Sequence, residues 1–535
     1  MSEPATQTTD VIVVGAGFAG LYMLHRLRKQ GMSAICYETA AGVGGTWYWN
    51  RYPGARVDIE SQEYCYSFSS ALDEEWRWSE RYAPQPEILR YLEHVADRFD
   101  LKRDIRFNTR VNGARFDETT KRWIVSTSDG ATTSARAVVM ATGCLSQPKE
   151  PDFPGVDSFK GKSYFTSRWP HEGVDFTGLN VAVIGTGSSA IQSIPIIAEQ
   201  AKQLTVFQRT PNYSAPARNA PADAAIEADW TLNRARYRAQ AMAQSSGVRQ
   251  IDAQDTLLLE TPPDERRRIF EERWARGGFA VLGGFADVGI NEEANAAAAE
   301  MFAEKIRELV KDPKTAELLV PKSYPIGTKR LCVDTGYYQT FNRANVKLVD
   351  VSQAQIEAIT PAGVRTAAGE YAFDAIVYAI GFDAMTGALD KIDITGRGGV
   401  KLKDKWAHGP KTYLGLAIAG FPNLFTVTGP GSPSVLTNMV PSIEHHVDWI
   451  VRALADLEAR KASTLEAQPA AEEAWVAHVN EIADMTLFPR ANSWYLGANV
   501  PGKPRVFLPY VGGVPAYRAK CAEVVANGYE GFVVN

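Results

Sequence analysis

Two glycine-rich turns are the segments of this sequence whose residue types and spacing point most directly to chemistry. The first places Gly15, Gly17 and Gly20 in GxGxxG spacing immediately after the apolar run 11–14. Glycines at this spacing let the backbone approach a pyrophosphate, whose charge is stabilised by the N-terminus of the following helix. Glu38 ends the next predicted strand, where its carboxylate can accept hydrogen bonds from a ribose diol. The turn therefore predicts a dinucleotide site and not merely a structural turn.

A second turn has the same design but lacks the acid. The residues of this unit that could contact a nucleotide are Gly185, Gly187, Ser188, Ala190, Arg209 and Thr210. The glycines and the alanine give GxGxxA spacing, and Arg209 stands where the first unit has its carboxylate. A carboxylate there would repel a 2′-phosphate, whereas a guanidinium can bind it through two hydrogen bonds. The second site is predicted to bind NADPH, and the alternative is that Arg209 is an ordinary solvated side chain.

Short buried strands and amphipathic helices are predicted to position these turns. In the first unit, residues 11–14 and 34–37 form apolar runs typical of parallel strands. Leu21, Leu24 and Leu27 mark the inner face of the helix between them. Two dinucleotide units in one chain suggest hydride transfer from NADPH to a flavin.

The remaining segments suggest how the chain passes between the two units. Residues 138–146 and 374–384 each resemble a buried strand that ends in a small-residue turn, as at the domain crossings of flavoprotein oxidoreductases. Between the halves of the second unit, residues 215–325 are rich in Ala, Glu and Arg, which favours a helical cap. Apolar residues at helical spacing in this insert are Met301, Phe302, Ile306, Leu309 and Val310.

The predicted fold class is α/β, with two Rossmann-like dinucleotide-binding domains, for FAD and NADP, and a helical insert in the NADP domain. The expected boundaries are residues 1–148 for the first part of the FAD domain, 149–214 and 326–384 for the NADP domain, 215–325 for the insert, and 385–535 for the second part of the FAD domain.

Composition excludes several classes of function. A net charge of −5 gives no electrostatic reason to bind nucleic acid or anionic lipid, and no apolar run reaches the roughly 20 residues of a membrane span. The opening MSEPATQTTD is expected to be a short loose tail and not a signal peptide. Five scattered cysteines without a CxxC pair favour a reducing cytoplasm and argue against a zinc site or a dithiol reductase. His445 and His446 are adjacent, so they are expected to be surface residues and not metal ligands.

The string GVGGTWYWNRYPGARVD, residues 42–58, resembles without a gap the fingerprint of type I Baeyer–Villiger monooxygenases. Further matching strings are PIGTKRLCVDTGYYQTFNR at 325–343, GPGSPSVLTNM at 429–439 and NSWYLGANVPGKPRVF at 492–507. The likeness extends over almost the whole chain and is strongest to the phenylacetone and steroid monooxygenase branch, with cyclohexanone monooxygenases further away.

The resemblance implies a reaction: NADPH and O2 are used to convert a ketone into an ester or lactone, through a C4a-peroxyflavin and a tetrahedral adduct. Both species are anionic, so a fixed cation is expected beside them. The implied catalytic residues are Arg330, as that cation, and Asp58, which orients it. The implied cofactor contacts add Gly45, Thr46, Trp47, Lys329 and Trp494, and the implied substrate pocket contains Ser434, Val435 and Leu436.

One fingerprint position departs from the family. FKGKSYFTSRWP, residues 159–170, has Phe165 where the family's Phe-x-Gly-x-x-x-His-x-x-x-Trp-Pro pattern has histidine. In the family that region links the nucleotide domains and lies away from the flavin ring. The expectation is an active enzyme whose coupling between the domains is altered.

Two other functions fit part of the pattern. A flavin monooxygenase that oxidises amines or sulfides would share both turns without requiring Asp58 and Arg330, and a non-catalytic NADPH sensor would tolerate Phe165. The expected partners are a small ketone and O2, with no nucleic acid or membrane, in a monomer or weak dimer.

Overall fold

Two sheets, the first mixed and the second wholly parallel, each carry a glycine turn after one of their strands and organise the computed structural model, which describes residues 7–535. The strands are β1 Gln7–Val14, β2 Ala34–Tyr37, β3 Ile105–Arg106, β4 Val111–Asp117, β5 Arg122–Thr127, β6 Thr132–Met140, β7 Lys162–Phe165, β8 Asn180–Ile184, β9 Gln203–Gln208, β10 Ser214–Pro216, β11 Cys332–Asp334, β12 Val346–Asp350, β13 Ile356–Ile359, β14 Gly363–Thr366, β15 Gly369–Ala372, β16 Ala375–Tyr378, β17 Asp393–Thr395, β18 Ala417–Ile418, β19 Phe421–Thr426, β20 Leu465–Ala467 and β21 Phe532–Val534.

The helices surround these sheets and also build the insert. They are α1 Phe18–Lys29, α2 Thr46–Trp49, α3 Ser70–Glu75, α4 Gln85–Arg98, α5 Ser188–Gln200, α6 Ala224–Ala243, α7 Pro263–Arg276, α8 Glu292–Leu309, α9 Pro313–Leu319, α10 Tyr337–Thr340, α11 Leu402–Lys405, α12 Met439–Ala459, α13 Pro469–Asp484 and α14 Gly513–Ala526. Among residues 7–535, no helix combines the length and hydrophobicity that crossing a bilayer requires.

The first sheet holds the first glycine turn. Its strand order is β17-β4-β5-β6-β1-β2-β3, and β19 pairs in parallel with the end of β6. The central strand β1 runs parallel to both β2 and β6. Leu21, Leu24 and Leu27 of α1 are buried against this sheet, which confirms the predicted inner face. The first unit is therefore Rossmann-like.

The expected loose tail is wrong for the residues that the structure describes. β1 begins at Gln7, and Thr8 and Thr9 pair with Ser134 and Ala135 of β6. Composition missed this because polar residues extend a strand readily when a neighbouring strand satisfies their backbone groups. Residues 1–6 lie outside the described part of the chain.

The second sheet holds the second glycine turn. Its five strands are all parallel, in the order β12-β9-β8-β16-β7, and α5 follows β8. Residues from β8, β9, β16 and α5 form one buried cluster on this sheet. The α/β class with two Rossmann-like units is confirmed.

The insert between the two halves of the second unit is helical, as predicted, and comprises α6 to α9. Phe302 and Ile306 of α8 are buried, in agreement with the predicted spacing. Arg238 of α6 donates two hydrogen bonds of 2.8 Å to the Asp73 carboxylate of α3, so the insert is bound to the first unit as well. The exact domain boundaries stay a prediction.

The expected surface location is wrong for His446. This residue lies on α12 with 1% of its surface exposed, and both ring nitrogens have hydrogen-bond partners. Sequence reasoning treats an isolated polar residue as exposed, but a polar side chain is stable inside a protein when its hydrogen bonds are satisfied.

Candidate active site

The first glycine turn has the close backbone packing that a pyrophosphate cradle requires. A Cβ atom on Gly20 would lie 1.9 Å from the Gly15 carbonyl oxygen, so only glycine fits there. Glu38 accepts hydrogen bonds from the Ala16 N–H at 2.7 Å and from the Ala40 N–H at 2.8 Å. Each carboxylate oxygen has a further lone pair, so Glu38 can fix the turn and still accept from a ribose hydroxyl. These residues fit a dinucleotide.

The segment after the turn closes this cradle from the other side. The Gly44 N–H donates to the Ala16 carbonyl at 3.0 Å, and a Cβ on Gly45 would approach the Gly17 Cα to 3.0 Å. Gly45 has φ +53°, which permits α2 to start directly after it. Thr46 and Trp47 therefore begin a short helix against the cradle, where a flavin can lie along them.

The second glycine turn has the same architecture without an acid at the end of its second strand. A Cβ on Gly185 would lie 2.4 Å from the Ala379 carbonyl oxygen. Gly187 is the N-cap of α5, and Ser188 is the first residue of that helix. The Thr210 carbonyl accepts from the Thr186 hydroxyl at 2.8 Å, which holds the strand end close to the turn. This is a fitting site for a second dinucleotide.

Three cations converge beside the second turn. Burial and the Arg209 charge both lower the pKa of Lys329 and that of Lys149. The Lys329 ammonium group lies 4.2 Å from the centre of the Tyr324 ring, and Lys149 donates to the Asn499 carbonyl at 2.5 Å. Mutually repelling cations are a suitable donor set for a 2′-phosphate. Sequence reasoning missed Lys149, because no motif places it near Arg209.

Arg330 and Asp58 meet in a two-pronged ion pair. Arg330 Nε donates to Asp58 Oδ2 and Nη2 donates to Oδ1, each at 2.9 Å. The third arm, Nη1, donates to the Val435 carbonyl at 3.0 Å. Although burial opposes the charge, the Asp58 carboxylate raises the pKa of Arg330 above its ordinary value. The guanidinium is thus a permanently charged group in a fixed orientation.

This ion pair connects the two cradles. Asp58 follows the segment that closes the first turn. Arg330 precedes β11, where the Cys332 thiol lies 3.4 Å from the Ser188 hydroxyl at the second turn. A cation at this junction can act on a substrate that approaches both nucleotides.

Comparisons with known proteins identify the family. The profile of a family described as pyridine nucleotide-disulphide oxidoreductase matches residues 12–276. A Baeyer–Villiger monooxygenase from Pseudooceanicola batsensis is 43% identical over 98% of this chain and 96% of its own. An acetone monooxygenase (methyl acetate-forming) from Gordonia is 42% identical over 99% of this chain and 100% of its own. The chain belongs to the Baeyer–Villiger monooxygenases.

Solved structures agree with this assignment. A steroid monooxygenase bound to NADP has 53% identity and a TM-score of 0.95, with 99% of each chain covered. The enzyme OTEMO in complex with FAD and NADP has 40% identity and the same TM-score, with 99% of this chain and 100% of the other covered. This Baeyer–Villiger monooxygenase is therefore an FAD- and NADP-dependent flavoprotein, and the predicted likeness to the steroid monooxygenase branch is confirmed.

A relative of nearly equal identity has a name that describes a different oxidation. A phenazine N-monooxygenase from Lysobacter antibioticus is 41% identical over 98% of this chain and 97% of its own. Overall similarity to a Baeyer–Villiger monooxygenase thus does not by itself define the atom that is oxidised.

The fingerprint of this Baeyer–Villiger monooxygenase also joins its two nucleotide units. A Cβ on Gly54 would lie 2.3 Å from the Gln192 carbonyl oxygen of α5. The Tyr52 hydroxyl donates to the Gln192 side chain at 2.9 Å, and that amide donates back to the Arg56 carbonyl at 3.1 Å. Asp58 therefore takes its position from contact with the NADP unit as well as from its own loop segment.

Sequence reasoning missed two groups around Arg330. The Phe279 ring, 3% exposed and supplied by the insert, lies 4.6 Å from the centre of the guanidinium. Tyr495 is the other group: burial raises the pKa of its phenol, and the charge of Arg330 opposes that rise. Gly278, next to Phe279, and Gly283, four residues after it, both pack closely against neighbouring groups. These glycines were the one sign in the sequence that this part of the insert is tightly packed.

The remaining predicted residues lie close to this centre without a direct hydrogen bond to the ion pair. Trp494 is half-buried, with its ring 4.3 Å from that of Tyr495. The Ser434 side chain is fully buried and donates to the Thr428 carbonyl at 3.0 Å, whereas Leu436 is half-buried. Their roles toward cofactor and substrate stay predictions.

Replacing Arg209 by alanine is expected to raise the Michaelis constant for NADPH about 10- to 100-fold and to leave that for NADH nearly unchanged. One charge-assisted hydrogen bond contributes about 1.5–3 kcal/mol, and NADH lacks the phosphate. Steady-state kinetics with both cofactors measures the effect, and Arg110→Ala, an exposed arginine of the other unit, is the control. Equal changes for NADPH and NADH would show that Arg209 does not bind the 2′-phosphate.

Phe165 occupies the histidine position of the family fingerprint as a packed aromatic residue. It ends β7, stacks on Tyr378 with ring centres 5.1 Å apart, and lies 4.2 Å beneath the Arg168 guanidinium. Arg168 in turn binds Glu150 through contacts of 2.9 and 2.6 Å. Phe165 belongs to the sheet of the NADP unit. Replacement of the family histidine by phenylalanine at this position therefore removes no group from the surroundings of Arg330.

Phe165→His is expected to be accommodated, because the ring is smaller, and to leave ketone preference unchanged. We expect less hydrogen peroxide per NADPH consumed if the family histidine improves coupling between the domains. Ester and peroxide yields per NADPH, measured for both forms, decide the point. If the native protein makes no ester and the histidine variant does, Phe165 is an inactivating replacement and the expectation of an active enzyme is wrong.

Proposed function

We propose that this enzyme inserts one oxygen atom of O2 beside the carbonyl carbon of a ketone, with Arg330 as the group that stabilises the negative charge formed during the reaction. The observation that carries the proposal is the guanidinium held by Asp58 and the Val435 carbonyl at the junction of the two cradles. The products are an ester or lactone, water and NADP⁺.

The cofactors are assigned to sites by the residues that fit them. FAD would be held by the first turn with Glu38 and by the segment Gly45–Trp47. When bound, FAD would accept a hydride from NADPH and activate O2. NADPH would be held by the second turn with Arg209 and Lys329. Trp494 is assigned to the nicotinamide side, next to Tyr495.

Arg330 suits the proposed role because its charge is permanent and its direction is fixed. A guanidinium with a raised pKa does not release its proton, so it stabilises an oxyanion without protonating it. Because Asp58 and Val435 together engage three of its nitrogens, little reorganisation is needed when negative charge develops. Asp58 is a positioning residue, since it acts through the arginine.

The ketone class follows from the family and from the names of relatives. These include acetone, cyclohexanone and cyclopentanone monooxygenases that are 39–42% identical to this chain. We assign the substrate pocket to the side of the site that contains Val435 and Leu436. A monomer or weak dimer in the cytoplasm remains our expectation.

The second candidate function is oxidation of an aromatic ring nitrogen, because the phenazine N-monooxygenase relative is almost as similar as the others. Incubation with NADPH, O2 and a panel of aryl, cyclic and steroid ketones together with phenazines distinguishes the two by mass spectrometry of the products. Ester from a ketone supports the proposal. Formation of an N-oxide without any ester would replace the proposal by the second function. Absence of any product from every ketone and phenazine in the panel, with NADPH and O2 present, would indicate a sensor.

A further inference from the structure

The buried imidazole of His446 lies at the centre of a hydrogen-bond chain that no part of the proposed chemistry uses. Nδ1 is 2.9 Å from the Thr428 backbone nitrogen, and Nε2 is 2.9 Å from the Tyr517 hydroxyl of α14. That hydroxyl donates to the Leu414 carbonyl at 2.5 Å. All three residues of this chain are buried, with at most 3% of their surface exposed: His446, Thr428 and Tyr517.

The partners determine the protonation state of the ring. Because the Thr428 N–H is a donor, Nδ1 must be the unprotonated acceptor. The Tyr517 hydroxyl gives its hydrogen to Leu414, so it accepts from Nε2–H. Burial lowers the pKa of His446 well below its ordinary value, which keeps the imidazole neutral and the Nδ1 acceptor available.

The chain leads from His446 to the arginine of the ion pair. The Thr428 carbonyl accepts from the Ser434 hydroxyl at 3.0 Å. The next residue, Val435, offers the carbonyl that receives Arg330 Nη1 at 3.0 Å. His446 thus anchors one end of residues 428–435, here called the arginine loop, whose other end binds the guanidinium.

The arginine loop needs such an anchor because its backbone is strained. Thr428 has φ +55° and Ser434 has φ +42°, and neither is glycine. A non-glycine residue in the left-handed region is held there only by its surroundings. The middle of the loop is held independently, since the Gly431 N–H donates to the Leu508 carbonyl at 2.7 Å and the Ser432 carbonyl accepts from the Tyr510 N–H at 2.7 Å. The hydrogen bond to His446 holds the Thr428 end, and its loss is expected to let Thr428 relax and to shift Val435 through the Ser434–Thr428 hydrogen bond.

We propose that His446 is a positioning residue for oxygen insertion: through the arginine loop it fixes the Val435 carbonyl and thereby the direction of Arg330. This inference rests on the proposed role of Arg330. It assigns no contact with substrate or cofactor to the histidine, and it predicts that the Nδ1 acceptor matters more than the link to Tyr517.

The test compares substitutions that keep different halves of the imidazole. His446→Asn retains an acceptor at the position of Nδ1, His446→Gln retains a donor at the position of Nε2, and His446→Phe retains neither. His445→Phe is the matched control, because His445 is the neighbouring imidazole on α12 and its Nε2 has no hydrogen-bond partner within residues 7–535.

We expect ester formation per NADPH to fall about 10- to 100-fold in the Gln and Phe variants, since misplacement of a catalytic group by about 1 Å has such effects. His446→Asn and His445→Phe are expected to remain within about threefold of the native enzyme. NADPH oxidation and the FAD content are expected to change little in all four. Crystal structures of the variants give a second readout, the distance from Arg330 Nη1 to the Val435 carbonyl oxygen. This distance should lengthen only in His446→Gln and His446→Phe.

Two results would overturn the inference. One is equal ester yield in the Asn and Gln variants, and the other is an unchanged Arg330–Val435 hydrogen bond in His446→Gln. If His446→Phe does not fold, the Asn and Gln pair still decides. If the native enzyme forms no ester at all, the proposed function fails, but the crystallographic distance still tests whether His446 positions Arg330.

Discussion

Arg330→Ala is expected to abolish ester formation, with a loss of about 10²–10³-fold or more in kcat, while FAD stays bound. The variant removes the one side chain that Asp58 and the Val435 carbonyl jointly hold, without touching either glycine turn. Loss of a preorganised charge that faces a developing oxyanion has effects of this size. Ester yield, NADPH oxidation and the flavin spectrum are measured in parallel on the purified variant.

Arg330→Lys separates charge from direction. Lysine keeps a cation but cannot make the parallel pair of hydrogen bonds to Asp58. We expect it to recover only a small part of the activity, and we expect Asp58→Asn to lose less than Arg330→Ala because the cation remains. Near-native ester formation in Arg330→Ala would remove Arg330 from the mechanism.

The turns and their strands could be predicted because the information lies in neighbouring residues. β2 runs from Ala34 to Tyr37, as the apolar run predicted, and β8 begins at Asn180, where the second unit was expected to begin. Periodicity also identified the inner face of α1. Such features depend on local spacing, which one sequence contains in full.

The surroundings of Arg330 could not be predicted in the same way. The Val435 group that binds it is a backbone carbonyl, which carries no signature of residue type, and Phe279 reaches it from the helical insert, outside the motif that contains Arg330. The family resemblance supplied Asp58 and Arg330 but not the contacts of Arg330 with the Val435 carbonyl and the Phe279 ring. Contacts between distant segments depend on the packing of whole domains, which spacing within a motif does not encode.

Lys149 and His446 illustrate two further limits. Lys149 joins Arg209 and Lys329 only because the crossing segment after β6 folds toward the second turn. His446 is buried because Thr428 and Tyr517 satisfy both of its nitrogens. In both cases the residue type suggests the surface, and only the three-dimensional partners reverse that expectation.

Gly54→Ala is expected to reduce kcat/KM for ester formation about 10²-fold and to lower the stability of the protein. The new Cβ would lie 2.3 Å from the Gln192 carbonyl oxygen, so the fingerprint segment must move away from α5 by roughly 1 Å. Asp58 follows four residues later and would move with it, which turns the guanidinium of Arg330. The expected signature is uncoupling, in which NADPH is consumed and hydrogen peroxide replaces ester.

Gly173→Ala provides the control for backbone strain. Gly54 has φ +80° and Gly173 has φ +79°, but a Cβ on Gly173 would meet no atom within 4 Å. Both variants therefore incur the same left-handed penalty of about 1–2 kcal/mol, and only Gly54→Ala disturbs the contact between the units. Thermal unfolding and product yields are compared for the pair. If both variants lose stability equally and both retain coupling, close contact between the fingerprint and α5 is not what positions Asp58, and the ion pair must take its geometry from the arginine side alone.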